Sequence, residues 1–600
     1  MSIIFGYINL NGKPVERGTL ESMKHAMDFW GPDKDGLWHE GACGLGNLLL
    51  YNTPEALYEN LPMTDASGNL VLTAGARIDN RDELFRIFDI PLGQRLTMPD
   101  SALMLKAYEK WGEACANYLI GDWAFAVWDK KLQKLFLARD HHGITALYYY
   151  KGSDFFVFSS SLKGILCLPQ VPKKINEFKI AQLLVNWNEG GPETCYLDIL
   201  RLPPAHTLTM HESKVTTNRY WFLEHTPEVR LKNDQEYIDM FLDLYTEAVR
   251  CRLRSYRPVG ATLSGGLDSG SVCVLAAREL AKESKRLQAY TAVPLYDITG
   301  LVPKNRIGDE GPLAQALADK MGNIDITFCR AENISPLEGV EKVFKIHDQP
   351  GFATGNAYWL VNIFTESQNF GIGTLLVGQN GNGTVSWPTR GLMSKMRHPF
   401  IQMLRGYKHN FKFLIGNWKD DFFINATLLE KYNLKQLIKE ARLRPYFMNQ
   451  LSLSDIRLQI IMPGESSIGN LLHENGIYYR FELRDPTIDV CLLKFLFGIH
   501  PNSNFYNNRQ LFAINFKKCF PDYLINGTIR GIQAFDLIQR LNNNKYSIKY
   551  VLTKPGSKLI LLNQYVALRK LLDCNESSYV KELLKIYSIK IFLESHLRIN

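Results

Sequence analysis

Apolar and polar positions change their period along this chain. Up to about residue 220, short apolar segments such as Ile3 to Leu10 alternate with turn clusters such as Gly31-Pro32-Asp33. Trp123 to Asp129 and Lys134 to Ala138 read as a strand pair, so this stretch predicts a sheet-rich domain with few helices. From about residue 235, long amphipathic helical runs are interleaved with short buried strands, including Gln288 to Val293 and Gly373 to Val377. That alternation predicts a doubly wound parallel sheet. Beyond about residue 390 the pattern is mostly helix and loop, and aliphatic spacing such as that of Val580 to Ile591 predicts a helical ending. Three units follow: 1–225, 234–545 and a helical appendage over 546–600.

Pro258 to Leu263 is a short apolar segment of strand type, and Ser271 to Ala277 is an apolar run of helical type. Between them lies Ser264-Gly265-Gly266-Leu267-Asp268-Ser269. In a strand-to-helix loop, glycines let the backbone approach an oxyanion, amide and serine donors bind it, and the helix dipole favours its charge. Asp268 is the odd residue there, because a carboxylate in an anion nest is repelled unless a cation intervenes. It reads as a Mg²⁺ ligand bridging to phosphate oxygens. The plainer alternative is a glycine turn capped by serine. The string resembles the PP-loop of ATP pyrophosphatases, which adenylate a carbonyl or carboxyl oxygen and release pyrophosphate. No G-x-x-x-x-G-K-[ST] occurs to suggest γ-phosphate transfer.

Bulk composition narrows the classes further. The 600 residues are 46% hydrophobic and 22% charged, an ordinary globular composition long enough for about two to four domains. A net charge of +8 without a long Lys/Arg block gives no sign of a nucleic-acid partner. Ten cysteines without a C-x-x-C pair argue against a zinc ribbon and a secreted disulfide framework. No apolar stretch reaches the ~18 residues of a membrane span and the N-terminus lacks a signal-peptide pattern, so a cytoplasmic location with no membrane association is expected.

The N-terminal third resembles the glutaminase domain of asparagine synthetases. Gly31-Pro32-Asp33, Gly121-Asp122-Trp123-Ala124-Phe125-Ala126, Ala138-Arg139-Asp140-His141-His142-Gly143 and Arg201-Leu202-Pro203-Pro204-Ala205-His206 are similar to four of its motifs, in its order. The resemblance implies an αββα sandwich of the N-terminal-nucleophile (Ntn) class, followed by a PP-loop synthetase domain with helical additions. Yet the family's nucleophilic cysteine is Ser2 here, its oxyanion-hole Asn falls on Gly75, and its carboxylate-binding arginine falls near Leu48-Leu49. Losing one oxyanion donor alone costs roughly 10²–10³ in rate. Asp100 matches the family's amine-binding carboxylate, and without its partners reads as a turn or cap.

A synthetase without its own ammonia source needs another amine, most simply one within its substrate. Relatives with that property are the β-lactam and carbapenam synthetases and the lasso-peptide macrolactam synthetases. Ala289-Tyr290-Thr291-Ala292-Val293-Pro294, Val377 to Thr384 and Arg530-Gly531-Ile532-Gln533-Ala534-Phe535-Asp536 are similar to lasso-cyclase motifs. The resemblance implies ATP and Mg²⁺ as cofactors and a precursor peptide, a leader peptidase and a leader-recognition protein as partners. An Asp or Glu side chain of the leaderless peptide would be adenylated and then attacked by the peptide's own amine. Nucleotide contacts fall on Leu263, Ser264, Gly265, Gly266, Leu267, Asp268 and Ser269, with Val293 and Gly378 at neighbouring strand ends. Glu482, in E-x-R-x-P, is a base or amine-orienting group, or else the partner of a structural salt bridge to Arg484 or Arg480. Arg530 stands nearest to a lysine that stabilises the acyl-adenylate. The second metal-binding Asp falls on Gly383 and the partner tyrosine of the family's Tyr/Glu dyad on Asn380; Asn382 could ligate through its amide oxygen. Asp309 and Glu310 could compensate for that loss, or serve as helix caps. The rival readings are a small-molecule lactam or amide synthetase, an ammonia-using asparagine synthetase fed by another subunit, and an inactive peptide-binding scaffold.

Overall fold

The computed structural model describes residues 2–185, 191–351, 353–387, 426–434, 436–437, 458, 468–500, 503–527, 529–542 and 577–597. The expectations for 388–425 and for 543–576 lie outside them.

Twelve strands build the N-terminal domain: β1 (Ile3–Asn9), β2 (Lys34–Glu40), β3 (Cys43–Leu49), β4 (Met63–Thr64), β5 (Leu70–Ile78), β6 (Gly121–Asp129), β7 (Lys134–Arg139), β8 (Tyr148–Lys151), β9 (Phe155–Ser159), β10 (Leu200–Arg201), β11 (His206–His211) and β12 (Lys214–Arg219). They pair antiparallel into two six-stranded sheets, ordered β10-β8-β9-β1-β3-β2 and β12-β11-β7-β6-β5-β4. Strand alternation sorts the layers. Ile3, Phe5 and Tyr7 of β1 pack on helices Arg17–Met27, Leu162–Leu166 and Glu177–Leu184, while Ile4 and Ile8 face Val71, Ala124, Ala126 and Leu135 of the other sheet. Leu72, Trp123 and Phe125 then turn outward to Leu103, Met104 and Tyr108 of helix Asp100–Trp111. Because β1 is buried on both faces, a one-residue slip of its register would misplace every one of these side chains, each worth roughly 1.5–3 kcal/mol. The result is the expected four-layer αββα sandwich.

The second domain is built on a parallel sheet of β13 (Val259–Thr262), β14 (Leu287–Ala292), β16 (Ile324–Cys329), β17 (Thr374–Leu376) and β18 (Glu482–Arg484), ordered β16-β14-β13-β17-β18. A separate two-residue ribbon pairs β15 (Arg306–Ile307) with β19 (Arg530–Gly531). Helices Asp234–Arg252, Leu267–Ala281 and Gly311–Met321 cover one face of the large sheet, and Pro336–His347 and Ala357–Asn369 cover the other. The chain leaves β13 toward β14 on one side and β17 pairs on the other, so the C-terminal end of β13 is the topological switch point, where open α/β sheets bind ligands.

Helix Ser577–Leu597 does not stand apart. Leu583, Leu584, Ile586, Ile589 and Phe592 join one continuous core with Leu337 and Val340 and with the outer helices of the N-terminal sandwich. Ion pairs seal the two domains together. Asp33, of the first matched motif, accepts from Arg480 and Arg257, and Arg254 pairs with Asp100 at 2.7 Å.

Candidate active site

The loop after β13 folds on its own donors. Ser269 Oγ accepts the Ser264 amide at 3.0 Å and lies 2.8 Å from Ser264 Oγ, which itself accepts the Gly266 amide at 3.1 Å. Gly266 caps helix Leu267–Ala281 through its backbone, and Asp268 sits in the first turn. Leu263 donates its amide to the Tyr290 carbonyl and Thr291 Oγ1 donates to the Leu263 carbonyl, tying the loop to β14. Val293 follows directly at the end of that strand, its amide bonded to the Cys329 carbonyl.

A second loop closes over the first. A Cβ on Gly378 would lie 2.7 Å from the Asp268 carbonyl carbon and the Ser269 amide nitrogen, and a Cβ on Gly381 would strike the Asp268 carboxyl itself. Only glycine permits this approach. The two loops are therefore one unit, with exposed Asn382 on the short turn Gly381–Gly383. Nδ2 of Asn508, the first residue of helix Asn508–Phe516, donates to the Thr384 carbonyl and fixes the far side.

Asp268 Oδ1 is buried without a hydrogen-bond partner. Burial pushes this carboxyl up to about 6, a rise that the nearby Asp485 adds to and that Ser386 and Arg509 reduce. A buried carboxylate oxygen with no donor, beside an anion cradle, fits a divalent cation that would restore its charged form.

Arg530 is exposed on the ribbon, and Arg509 feels both it and Asp268: burial and Arg530 lower its basicity while Asp268 raises it. Arg509 Nε and Nη2 are pinned to the Ile525 and Leu524 carbonyls at 2.7 and 2.8 Å. Its charge is thus held in place by the fold. Arg509 matches no motif quoted above, and only the tertiary fold brings it to the loop.

The structure sets Glu482 apart from this loop. Glu482 pairs with Thr374 at the start of β18, whereas the loops emerge from the strands' opposite ends. Its carboxylate is locked to Arg484, whose Nε donates at 2.7 Å. Burial opposes its charge, but the Arg484 and Arg77 guanidiniums hold it well below the usual carboxylate range. That makes it a weak proton acceptor at neutral pH, and of the two sequence-derived roles the geometry matches the salt bridge. The carboxylate that reaches Asn380 is Asp485: Oδ2 accepts both the Asn380 amide at 3.0 Å and its side-chain Nδ2 at 2.9 Å, and Oδ1 accepts two donors from Thr487. Asp485 therefore pins the second loop. Asp309 Oδ1 accepts the Gly311 amide at 2.9 Å, a turn-capping bond, whereas the Glu310 carboxyl is enclosed between Gly265 and Gly531.

The residues matching a glutaminase centre are closed off. Ser2 is buried and its Oγ accepts the Leu50 amide at 3.2 Å. A Cβ on Gly75 would lie 2.6 Å from the Ser2 carbonyl oxygen, so the family's asparagine has no room on this backbone. Leu48 and Leu49 fill core positions. Asp100 is no helix cap, contrary to expectation. It accepts the Ile78 amide and salt bridges from Arg81 and, across the domain boundary, from Arg254 at 2.7 Å. Ser2→Ala is accordingly expected to leave every ATP-dependent activity within about twofold of wild type, measured beside a glutaminase assay that reads zero for both proteins.

Other conspicuous groups have structural roles. His141 and His142 pack edge-on against Trp221, and burial holds both neutral, His142 down to about 3. Asp79, Cys251 and Asp489 converge closely enough to suggest a metal, but Arg77 and Arg252 neutralise the carboxylates.

Comparison with known proteins agrees with this architecture. Residues 1–221 match the family model described as a glutamine amidotransferase domain, and residues 240–386 match the one described as asparagine synthase. The chain is 26% identical over 359 residues to glutamine-hydrolysing asparagine synthetase 3 of Bacillus subtilis strain 168, covering 58% of this chain and 57% of that protein. It is 30% identical over 283 residues to a Methanocaldococcus jannaschii protein assigned as a glutamine-hydrolysing asparagine synthetase, covering 44% and 54%. Over 328 residues it is 26% identical to the amidase chyE of Penicillium rubens, covering 53% and 47%. The chain thus spans about half the length of the curated relatives it matches.

Proposed function

With asparagine-synthase homologues on both sides of the domain boundary as the premise, we propose that this chain is an ATP-dependent amide-bond ligase that adenylates a carboxylate and transfers the acyl group to an amine of the same substrate. The observation that carries the reading is the orphan carboxylate oxygen of Asp268 beside a complete Ser264 to Ser269 cradle, joined to a glutaminase-like domain whose nucleophile, oxyanion donor and substrate anchor are replaced. A ligase without a glutaminase draws its amine from elsewhere.

In this reading Ser264, Gly265, Gly266 and Ser269 hold the pyrophosphate, and Leu263, Val293 and Gly378 border the nucleotide. Asp268, with the neutral amide of Asn382, would hold Mg²⁺, which neutralises charge developing on the phosphate oxygens when bound. Arg530 and the pinned Arg509 supply fixed positive charge facing the cradle, so stabilisation is electrostatic and preorganised. The two reacting groups need only be held in line. The substrate we infer is a leaderless precursor peptide whose Asp or Glu side chain is closed onto its own amine to give a lasso-type macrolactam; a leader peptidase and a leader-recognition protein would deliver it. The three motif matches around Val293, Gly378 and Arg530 favour this over a small-molecule lactam synthetase.

The test is ATP–pyrophosphate exchange with purified full-length protein and Mg²⁺, with and without a synthetic peptide that carries a free N-terminal amine and an Asp or Glu side chain at a ring-closing position. Peptide-dependent exchange followed by a product lighter than the peptide by one water supports the reading. Exchange driven only by small carboxylic acids moves the assignment to a small-molecule synthetase, and no exchange with either leaves a binding scaffold.

A further inference from the structure

The amine that attacks an acyl-adenylate must give up a proton, and neither Glu482 on β18 nor Asp485 just after it serves. Glu482 lies at the wrong end of its strand in a tight ion pair, and Asp485 already accepts four hydrogen bonds. From its position between the pyrophosphate cradle and the strand that carries Arg530, we propose that Glu310 is the proton acceptor for the nucleophilic amine, an inference that rests on the ligase reading above.

The geometry is specific. Glu310 immediately precedes helix Gly311–Met321 and makes no side-chain capping bond, so its carboxyl is not spent on its own helix. On one side, a Cβ at Gly265 would lie 3.3 Å from the Glu310 Cβ. On the other, a Cβ at Gly531 would collide with Glu310 Oε1. Gly531, beside Arg530, thus makes room for the carboxyl, and the Gly265 backbone in the loop hydrogen-bonds it. The ribbon that places Gly531 is fixed by β15 pairing and by the Ile532 amide donating to Ile307 at 2.8 Å. With pyrophosphate held by Ser264 to Ser269 and Arg530 serving the adenylate, the acyl group would lie within reach of the carboxyl set between these two segments.

The electrostatics suit the task. Burial pushes the Glu310 carboxyl up to about 7, Asp309 adds to the rise, and a hydrogen bond from the Gly265 backbone offsets part of it. A proton acceptor works best with its value near the operating pH. The charge that acts on this carboxyl is that of Asp309 on its own turn; Arg306 and Arg530 pair on the ribbon beside it, and Arg509 lies in the fields of Arg530 and Asp268. In the step itself, the amine nitrogen forms the C–N bond, the C–O bond to the phosphate breaks, AMP departs with the electron pair, and the amine proton passes to the Glu310 carboxylate.

The experiment separates the two half-reactions in Glu310→Gln, with Glu310→Asp as the conservative partner. Adenylation requires no proton acceptor, so peptide-dependent ATP–pyrophosphate exchange is expected to stay within a few-fold of wild type. Ring closure is expected to fall roughly 10²–10³-fold, to lose its dependence on ionisation near neutral pH, and to recover partly in Glu310→Asp. Hydroxylamine, unprotonated at neutral pH, should trap the acyl group as a hydroxamate equally fast in the Gln variant and the wild type. Exchange falling in parallel with ring closure, ring closure at the wild-type rate, or a neutral pH limb that survives in Glu310→Gln would each overturn the assignment. Absence of exchange in the wild-type protein is a separate failure, of the ligase reading, and removes this inference with it.

Discussion

Asp268→Ala is expected to lower peptide-dependent ATP–pyrophosphate exchange by roughly 10³-fold while making the protein no less stable. The loss follows from the cation: a bound divalent ion supplies several kcal/mol of charge stabilisation, and each 1.36 kcal/mol is tenfold in rate. The stability effect has the opposite sign because burial outweighs what Ser386 and Arg509 return to this charge. Asp268 Oδ1 has no donor, and burial, with Asp485 close by, raises the carboxyl to about 6. A folded-state value above the unfolded one means that stability is full below about pH 4 and declines as pH rises through about 6. At neutral pH the buried carboxylate costs on the order of 2–3 kcal/mol. Thermal melting of the two proteins in metal-free buffer should therefore coincide near pH 4 and separate above pH 6, the alanine variant melting higher. An alanine variant that melts lower at pH 7 would show that Asp268 is a structural residue. Excess Mg²⁺ and ATP should shift the wild type upward and leave the variant where it is.

Arg484→Ala is expected to cost about 3–5 kcal/mol of stability, the typical cost of stripping one partner from a buried ion pair. Arg484 is fully buried; beyond its pair with Glu482, its Nη1 donates to the Arg252 and Arg254 carbonyls, both at 2.7 Å. Those carbonyls end helix Asp234–Arg252 and lead into the turn that carries Arg254 to Asp100, so the one guanidinium holds the sheet edge and the domain boundary together. Chemical denaturation reads the loss directly. Glu482 is depressed in the folded state, so its contribution is present above the ordinary carboxylate range and disappears only as the pH falls through its folded value; stability changes in Glu482→Gln should appear at pH 7 as a uniform drop, without a neutral titration limb. A kinetic pH profile that shifts in Glu482→Gln with an unchanged midpoint of denaturation would instead return Glu482 to the chemistry.

The contrast between Asp268 and Glu482 shows what the sequence could and could not carry. Asp268 was legible because its neighbours in the chain are also its neighbours in space: strand, glycine loop and helix start are local structures, and a carboxylate among anion-binding donors is anomalous on composition alone. The four layers of the N-terminal domain were legible for a similar reason, since a strand such as Ile3–Asn9 presents apolar residues on both faces and can only lie inside a sandwich. Glu482 was misleading because a motif gives order along the chain and not position along a strand. The three residues of β18, Glu482 to Arg484, separate Glu482 at one end of the strand from Asp485 just past the other, and pairing with β17 fixes which end faces the loops. The same holds for Arg509, whose place beside Asp268 depends on helix Asn508–Phe516 docking on Thr384, and for Asp100, whose ion pair with Arg254 closes over 154 residues of chain. By itself the sequence determined the glycine- and serine-rich loop between strand and helix, its acidic residue, the layer order and the residue types that stand at the glutaminase-motif positions, all properties of local pattern and residue type. Tertiary structure alone decided which carboxylates face the cradle, which are spent on ion pairs, and which are left with room to accept a proton, because those outcomes depend on distances between segments that the chain itself does not encode as neighbours.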